Sequence, residues 1–576
     1  MSRKLSGKGA QAPPQRSSTA SGKGFRPGEI GAIVKARGTA IPVALVYPNT
    51  YPVGMGNLGF QYVYQVLNSH PRIAAERFFL PDPGAGRNND MRIVSEESGR
   101  NLRDFPLITF SVPFENDYPA VPRMLSFAGI PPLRKDRGPS DSIVIAGGVS
   151  VSINPEPLAD FLEMAFIGEI PDAESSESGI VSILVDLFLR GIPDRAEFQE
   201  RFRDVPGAYL PSAYGFDYGE DGVVANLHVA PGFPERVRAV KRRKKGSAAP
   251  VSVLFSPEAE FGDTLLVETN RGCGRGCRFC ASGWIHLPVR HSEFDNFREQ
   301  VQTAVADGRT VGLIGSDLAG HPELETILST IVESGGKFSL SSIRPEGLNS
   351  KIIELLARTG QKTATLAPEV ASPRLKKVIG KEIPSERFCE LVEKLVAAGI
   401  PNVRFYFMIG LPTETDEDIR SIVEFVIECR KIFLDASRPL KRIGKIGVQV
   451  NPFVPKPWTP FQWAAMTPLD VLEKRMQIIR KELGKLPNLA IRIESPRSAQ
   501  IQALLSRGDR RVAPLLLAAA DRQGNWSRIL KHQETSLDFY AYRERSEHEI
   551  FPWDVTDHGI SKEALYRVYS RVISGK

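Results

Sequence analysis

Short apolar runs alternate with amphipathic helical stretches along most of this chain, and they do so in two series. In the first, IPVALVYP (41–48) predicts a buried strand and LGFQYVYQVLNSH (58–70) a helix, its apolar positions recurring at helical spacing. FPLITFSV (105–112) and SIVIAGGVS (142–150) are further apolar runs ending in turn residues, and they predict strands. Strands alternating with helices pair in parallel, and ligands of doubly wound sheets sit at the strands' carboxyl ends. Those ends carry Tyr47, Pro48 and Asn49, then Ser111, then Gly147 and Gly148.

A stretch around 209–230 predicts a β-hairpin turning at GEDG. A basic run, VRAVKRRKK (237–245), and the linker-like GSAAP follow it. The second series then begins: LLVETN (265–270), TVGLIGSD (310–317), KFSLSSIRP (337–345), TATLAPE (363–369), VRFYFMIGLP (403–412) and IGKIGVQVNPF (443–453). Helical patterns such as SERFCELVEKLVAAG (385–399) and DEDIRSIVEFVIECRKIF (416–433) separate these strands. Six βα units in order predict a partial (β/α)6 barrel whose ligand face is again the strands' carboxyl ends. From about 466 the pattern is mainly helical. The expected organisation is a disordered arm (1–28), an α/β domain with a doubly wound parallel sheet (29–200), a hairpin and basic linker (201–262), the barrel (263–465) and a mainly helical C-terminal region (466–576).

The chain has 576 residues, too many for one core. It is 42% hydrophobic and 24% charged, which excludes the disordered and fibrous classes. No apolar stretch approaches the roughly 20 residues a membrane span needs. The N-terminus lacks the apolar run of a signal peptide, so a cytoplasmic protein with reduced thiols is expected. The net charge is +7, and Arg3, Lys4, Lys8, Arg16, Lys23 and Arg26 stand in residues 1–28 without an acid. A solvated arm and linker account for both basic stretches. A nucleic-acid partner is the alternative they support.

Three of the five cysteines, Cys273, Cys277 and Cys280, lie within eight positions, spaced C-x3-C-x2-C. A cubane iron–sulfur cluster is normally held by four thiolates, one per iron. Three thiolates leave one iron open. Glycines at 272, 274 and 276 let the backbone wrap closely. Spacing alone leaves a second reading, a zinc site closed by His286 in a scaffold without catalysis. Cys389 and Cys429 sit in helical patterns and are expected to be packed core thiols. The tryptophans at 458, 463, 526 and 553 are expected to pack rather than form a substrate platform.

The segment ETNRGCGRGCRFCASG (268–283) resembles the radical S-adenosylmethionine (SAM) superfamily, whose signature is C-x3-C-x-aromatic-C after the first strand of a partial barrel, with Phe279 in the aromatic position. The resemblance implies a [4Fe–4S] cluster whose open iron chelates SAM. One electron then cleaves a C–S bond, giving methionine and a 5′-deoxyadenosyl radical that abstracts hydrogen from substrate. It also implies a small electron donor of the flavodoxin or ferredoxin type. The backbone at Met408, Ile409, Gly410 and Leu411 matches the fifth-strand element that lies along the adenine, and Glu414 completes that element. The second strand departs from the family's Gly-Gly-Glu, offering Gly315, Ser316 and the shorter acid Asp317 for the SAM ammonium. Glu369 and Ser372 are candidates for ribose or ammonium, and Arg344 for the carboxylate.

YPVGMGNLGF (51–60), SVPFENDY (111–118), IAGGVSVSINPEPLADF (145–161), VNPFVPKPWTPFQW (450–463), LLSRGDRR (504–511) and FPWDVTDHG (551–559) extend the resemblance. They point to a radical SAM subgroup with an N-terminal cobalamin-binding-like domain. The Asp-x-His-x-x-Gly that ligates cobalt from below is replaced here by TYPVGMGNLG, so a corrinoid would bind without a lower histidine, with Ser111, Gly147 and Gly148 near its nucleotide tail. The alternative is a vestigial sheet that positions substrate or a partner. No cysteine precedes Cys273, which opposes the methylthiotransferases with a second, N-terminal cluster. A different tRNA-modifying relative stays open. The alternating charges of LLSRGDRR suit a helix end or an interdomain ion-pair network.

Overall fold

The computed structural model describes residues 26–36, 38, 40–82, 92–171, 179–242, 248–341, 343–521, 524–531 and 536–575. Residues 1–25 of the basic arm and 243–247 of the basic run lie outside the described residues.

Six strands form the N-terminal sheet: β1 (Ile41–Thr50), β2 (Ile73–Leu80), β3 (Leu107–Ser111), β4 (Ile143–Gly147), β5 (Met164–Phe166) and β6 (Ala208–Tyr209). Their order is β2-β1-β3-β4-β5-β6, parallel through β5, with β6 antiparallel. The sheet reverses direction of growth at β1, between β2 and β3, and such a switch point opens a crevice at the strands' carboxyl ends. Val43–Val46 and Leu107–Ile108 are buried in its core. The chain leaving β4 is pressed onto the end of β3. Gly148 has φ +118°, and a Cβ there would stand 2.3 Å from the Val112 carbonyl, so only glycine fits.

β2 falls where no strand was expected. Its sequence, IAAERFFL, carries Glu76 and Arg77 in mid-strand. Arg77 is fully buried because Glu97 accepts its Nε at 2.6 Å and Glu29 its Nη2. Remote carboxylates make this strand buriable, which no local pattern reveals.

β7 (Tyr214–Tyr218) and β8 (Val224–Val229) form the expected hairpin, and β9 (Val237–Arg238) follows. The second series comprises β10 (Leu265–Arg271), the short β11 (Arg290–His291), β12 (Thr310–Gly315), β13 (Lys337–Leu340), β14 (Thr363–Glu369), β15 (Asn402–Ile409), β16 (Ile446–Pro452) and β17 (Leu489–Ile493). They form two ladders, β11-β10-β12-β13 and β14-β15-β16-β17, parallel except for β11. Among the described residues no ladder joins β13 to β14, so the six βα strands make an open barrel. β17 lies in the region read as mainly helical and extends the second ladder.

Helices 496–507 and 513–521 pack against the N-terminal sheet's core, which explains why the C-terminal region belongs to this fold. Asn154 Nδ2 donates to the carbonyls of Ser506 (3.1 Å) and Gly508 (2.8 Å). Arg510 donates to both oxygens of the fully buried Glu156 at 2.8 and 2.9 Å, and Tyr209 donates its hydroxyl to the same carboxylate. Of the charges in LLSRGDRR, Arg510 reaches across to the N-terminal sheet, whereas Asp509 pairs with Arg511 beside it and Arg507, at the helix end, donates to the Ala464 and Ala541 carbonyls. A third core, holding Trp458, Trp463 and Trp553, packs Val370, Leu411 and Phe453 against the C-terminal segment, and all three indoles are buried. Trp526 packs, partly buried, on the first core.

Candidate active site

The triad loop leaves β10 and surfaces at the barrel mouth. Cys273, Cys277 and Cys280 are free and half-buried. Gly272 has φ +84°, and a Cβ there would stand 2.5 Å from the His286 carbonyl, so the loop is tied to the segment behind it. Cys280 N–H donates to Cys277 O (3.3 Å), and Trp284 Nε1 donates to the same carbonyl (3.0 Å). Arg278 N–H donates to Ile379 O at 2.9 Å, fixing the loop to helix 373–379. Burial pushes the Cys273 and Cys280 thiols up. Asp317 adds to this at Cys273 and Glu369 at Cys280, while Arg344 pulls Cys273 back.

Three sequence candidates therefore stand beside the triad. Arg344 Nη1 is 3.6 Å from Cys277 Sγ and Nη2 3.0 Å from Glu346, while its Nε is buried without a partner. Asp317 accepts Arg275 Nε at 2.9 Å through one oxygen, and its other oxygen is buried and unpaired. Glu369 ends β14 with φ +68°, a sparsely populated conformation for a side-chain-bearing residue, and accepts Lys381 Nζ at 3.0 Å. Phe279 and Met408 pack on the third core beside the loop. Ser372 instead turns inward: it caps helix 373–379 and shares a 2.5 Å bond with Asp418.

Glu414 does not cap the following helix, whose capping residue is Thr415. It accepts the Gly410 N–H and Arg475 Nη1, each at 2.7 Å, and so pins the turn from Ile409 to Leu411 after β15. Ile409 O is taken by Phe453 N–H, and Gly410 O by Thr467 Oγ1. Burial pushes Glu414 up to about 7 against the pull of Gly410 and Arg475. The folded state then holds this proton more tightly than the unfolded chain, whose value is near 4.5. Its contribution is full at low pH and is lost as pH rises from about 4.5 to about 7. Thermal melts of wild type and Glu414→Gln across pH 5–8 are expected to converge at low pH, with wild type falling away more steeply as pH rises. Parallel curves would contradict this.

A cavity of about 570 Å³ lies between the carboxyl ends of the N-terminal sheet and the barrel mouth. Ser111, Gly147 and Gly148 line it from the sheet, and Gly315, Ser316 and Asn270 from the barrel. Asn270, missed in the sequence, is buried with an unpaired Oδ1 that stands 1.9 Å from where a Gly315 Cβ would be. Its place at the end of the first barrel strand was a usable signal. Glu169 was also missed. It accepts Arg290 at 2.8 and 2.7 Å and lies 3.6 Å from His286 Nδ1. Burial opposes its charge, but His286, Arg290 and Arg271 together hold its carboxyl well below the usual range. His286 thus faces Glu169. Among the described residues no three His, Cys, Asp or Glu side chains converge on a single-ion site.

Residues 59–211 match the family described as radical SAM proteins, N-terminal, and residues 267–426 match the radical SAM superfamily. An uncharacterized protein of Methanocaldococcus jannaschii is 27% identical over 477 residues, 82% of this chain and 90% of its own. The ribosomal protein uS12 methylthiotransferase RimO of Geobacter sulfurreducens is 23% identical over 38% of this chain, and the match spans 55% of its length. Among solved structures, the radical SAM methyltransferase TsrM from Kitasatospora setae, with cobalamin and a [4Fe-4S] cluster bound, aligns over 75% of this chain and 80% of its own, with 15% identity and TM-score 0.46. No helix of the described residues is long and apolar enough to cross a membrane. The chain belongs to the radical SAM superfamily and is an enzyme.

Proposed function

We propose that this enzyme holds a [4Fe–4S] cluster on Cys273, Cys277 and Cys280, binds SAM at the iron they leave open, and cleaves it reductively. One observation carries the reading: unmatched polar groups of both signs surround the triad. Asn270 Oδ1 and Asp317 Oδ1 are buried acceptors without donors, and Arg344 Nε is a buried donor without an acceptor. The first pair suits an ammonium and the guanidinium suits a carboxylate, the two ends of an amino-acid moiety. When bound, the cluster would supply one electron to the sulfonium, and the C–S cleavage would give methionine and a 5′-deoxyadenosyl radical. Arg344 also offers positive charge to the Cys277 sulfur. Glu414 and Arg475 keep the Met408–Leu411 turn in place as a wall for the adenosine. The third aromatic core packs against Ala281 and Ile285 beside the triad loop.

The cavity supports a corrinoid or substrate facing that site. Its floor is apolar at Leu45, Val63 and Leu184. At Gly147 a Cβ would meet nothing nearer than 3.8 Å, so close approach is open there. No histidine of the N-terminal sheet lines it. His286 and His558 line it from other segments, and His558 Nε2 is bonded to Ser152 O at 2.8 Å. A corrinoid held there would have to bind without the histidine of the Asp-x-His-x-x-Gly pattern, which TYPVGMGNLG replaces. A nucleic-acid substrate is the second reading, favoured by likeness to tRNA methylthiotransferases such as that of Aquifex aeolicus, 23% identical over 46% of this chain.

Anaerobic reconstitution with iron, sulfide and hydroxocobalamin tests the proposal. Brown protein with about four irons per chain, releasing 5′-deoxyadenosine from SAM and dithionite, is expected. Colourless zinc protein that turns over nothing would favour a scaffold. Retention of the corrinoid absorbance after desalting separates the corrinoid reading from a substrate cavity.

A further inference from the structure

Cys389 and Cys429 lie away from the barrel mouth, on helices 385–397 and 416–437. Both are buried, Cys429 completely and Cys389 to 6% exposure. Helical periodicity puts each on a packed face but does not say that they meet. Their sulfurs stand 3.1 Å apart. Non-bonded heavy atoms of this size rest about 3.5–4.0 Å apart, and a disulfide closes to about 2.05 Å. Two thiolates on one tetrahedral zinc, each about 2.3 Å from the metal, would stand roughly 3.8 Å apart. The pair is thus too close for a shared metal and within a small side-chain movement of a bond.

We propose that Cys389 and Cys429 are a peroxide-responsive disulfide pair that cross-links these two barrel helices. Cys389, the less buried sulfur, attacks hydrogen peroxide. An S–O bond forms as the O–O bond breaks, and the departing hydroxide takes up a proton to become water. The Cys429 sulfur then attacks the Cys389 sulfenic acid, displacing the second water as the S–S bond forms. Two thiols and one peroxide give one disulfide and two waters. The hydrogen bond from Cys429 and, more weakly, the nearby Lys376 ammonium favour the Cys389 thiolate, against burial, Glu428 and Glu386. The bond would join residues 40 positions apart. It would clamp the helices that follow β14 and β15, the strands that deliver Glu369 and the Met408–Leu411 turn.

The full chain, reduced and then titrated with hydrogen peroxide, is unfolded in alkylating agent and mapped without reductant. A peptide pair joined between Cys389 and Cys429, lighter by two hydrogens and separated by dithiothreitol, is expected. In Cys429→Ser, dimedone should trap a sulfenic acid at Cys389. If that variant fails to fold, the wild-type peptide map decides the question by itself. Both thiols still alkylated at a dose that consumes Cys273, Cys277 and Cys280 would overturn the proposal. So would direct passage to sulfinic acid without a link. The link is also expected in a chain with Cys273, Cys277 and Cys280 changed to alanine. Its appearance only with the triad present would make it a product of cluster chemistry and overturn the peroxide assignment.

Discussion

Replacing Cys273, Cys277 or Cys280 by alanine, one at a time, is expected to bring cluster content and 5′-deoxyadenosine release to background. In the proposed cluster each thiolate would bind a different iron, so none could substitute for another. The loop offers no spare ligand: His286 sits at Glu169, and Cys389 and Cys429 are buried against each other. The expected loss exceeds the roughly 10–100-fold that removing an outer partner of a metal ligand costs. Arg344→Ala, which removes the guanidinium beside Cys277, should fall in that smaller range. Iron and acid-labile sulfide analysis, with quantified nucleoside after dithionite and SAM, checks both. Full iron content in any single cysteine variant would remove that residue from the ligand set.

Glu156→Ala is expected to be the most destabilising change outside the barrel. Its carboxylate is wholly buried and receives two hydrogen bonds from Arg510 and one from Tyr209. Removing it strands a largely buried guanidinium and a buried phenol across the junction between the N-terminal sheet and the C-terminal helices. Breaking a buried pair in this way costs about 3–5 kcal/mol. The exposed pair Arg201–Asp186 is the control, where Arg201→Ala should cost about 1 kcal/mol or less. Denaturant unfolding read by tryptophan fluorescence measures both. Equal midpoints for the two variants would contradict the latch.

The barrel was legible because short strand-like runs recur in order between amphipathic helical patterns. TATLAPE and LLVETN are uninterrupted enough to stand out, and the observed strands, Thr363–Glu369 and Leu265–Arg271, begin at the expected residues. β2 was hidden by Arg77, whose burial depends on Glu29 and Glu97 from other segments. β5 spans three residues, too few for any period, and β17 is a half-exposed alternation carrying Arg492. The triad was readable because its chemistry is written in local spacing. Glu169, His286 and Arg290 assemble across more than a hundred positions, and nothing near Glu169 announces them. The alternating charges of LLSRGDRR suited a helix end or an interdomain network, and Glu156, the partner of Arg510, was visible only in the fold.

Electron paramagnetic resonance of the anaerobically reconstituted, dithionite-reduced protein probes the open iron most directly, recorded with and without SAM. A reduced-cluster signal whose g values shift when SAM is added is predicted, since the amino and carboxylate groups of SAM would occupy the iron that Cys273, Cys277 and Cys280 leave free. A signal indifferent to SAM would contradict it.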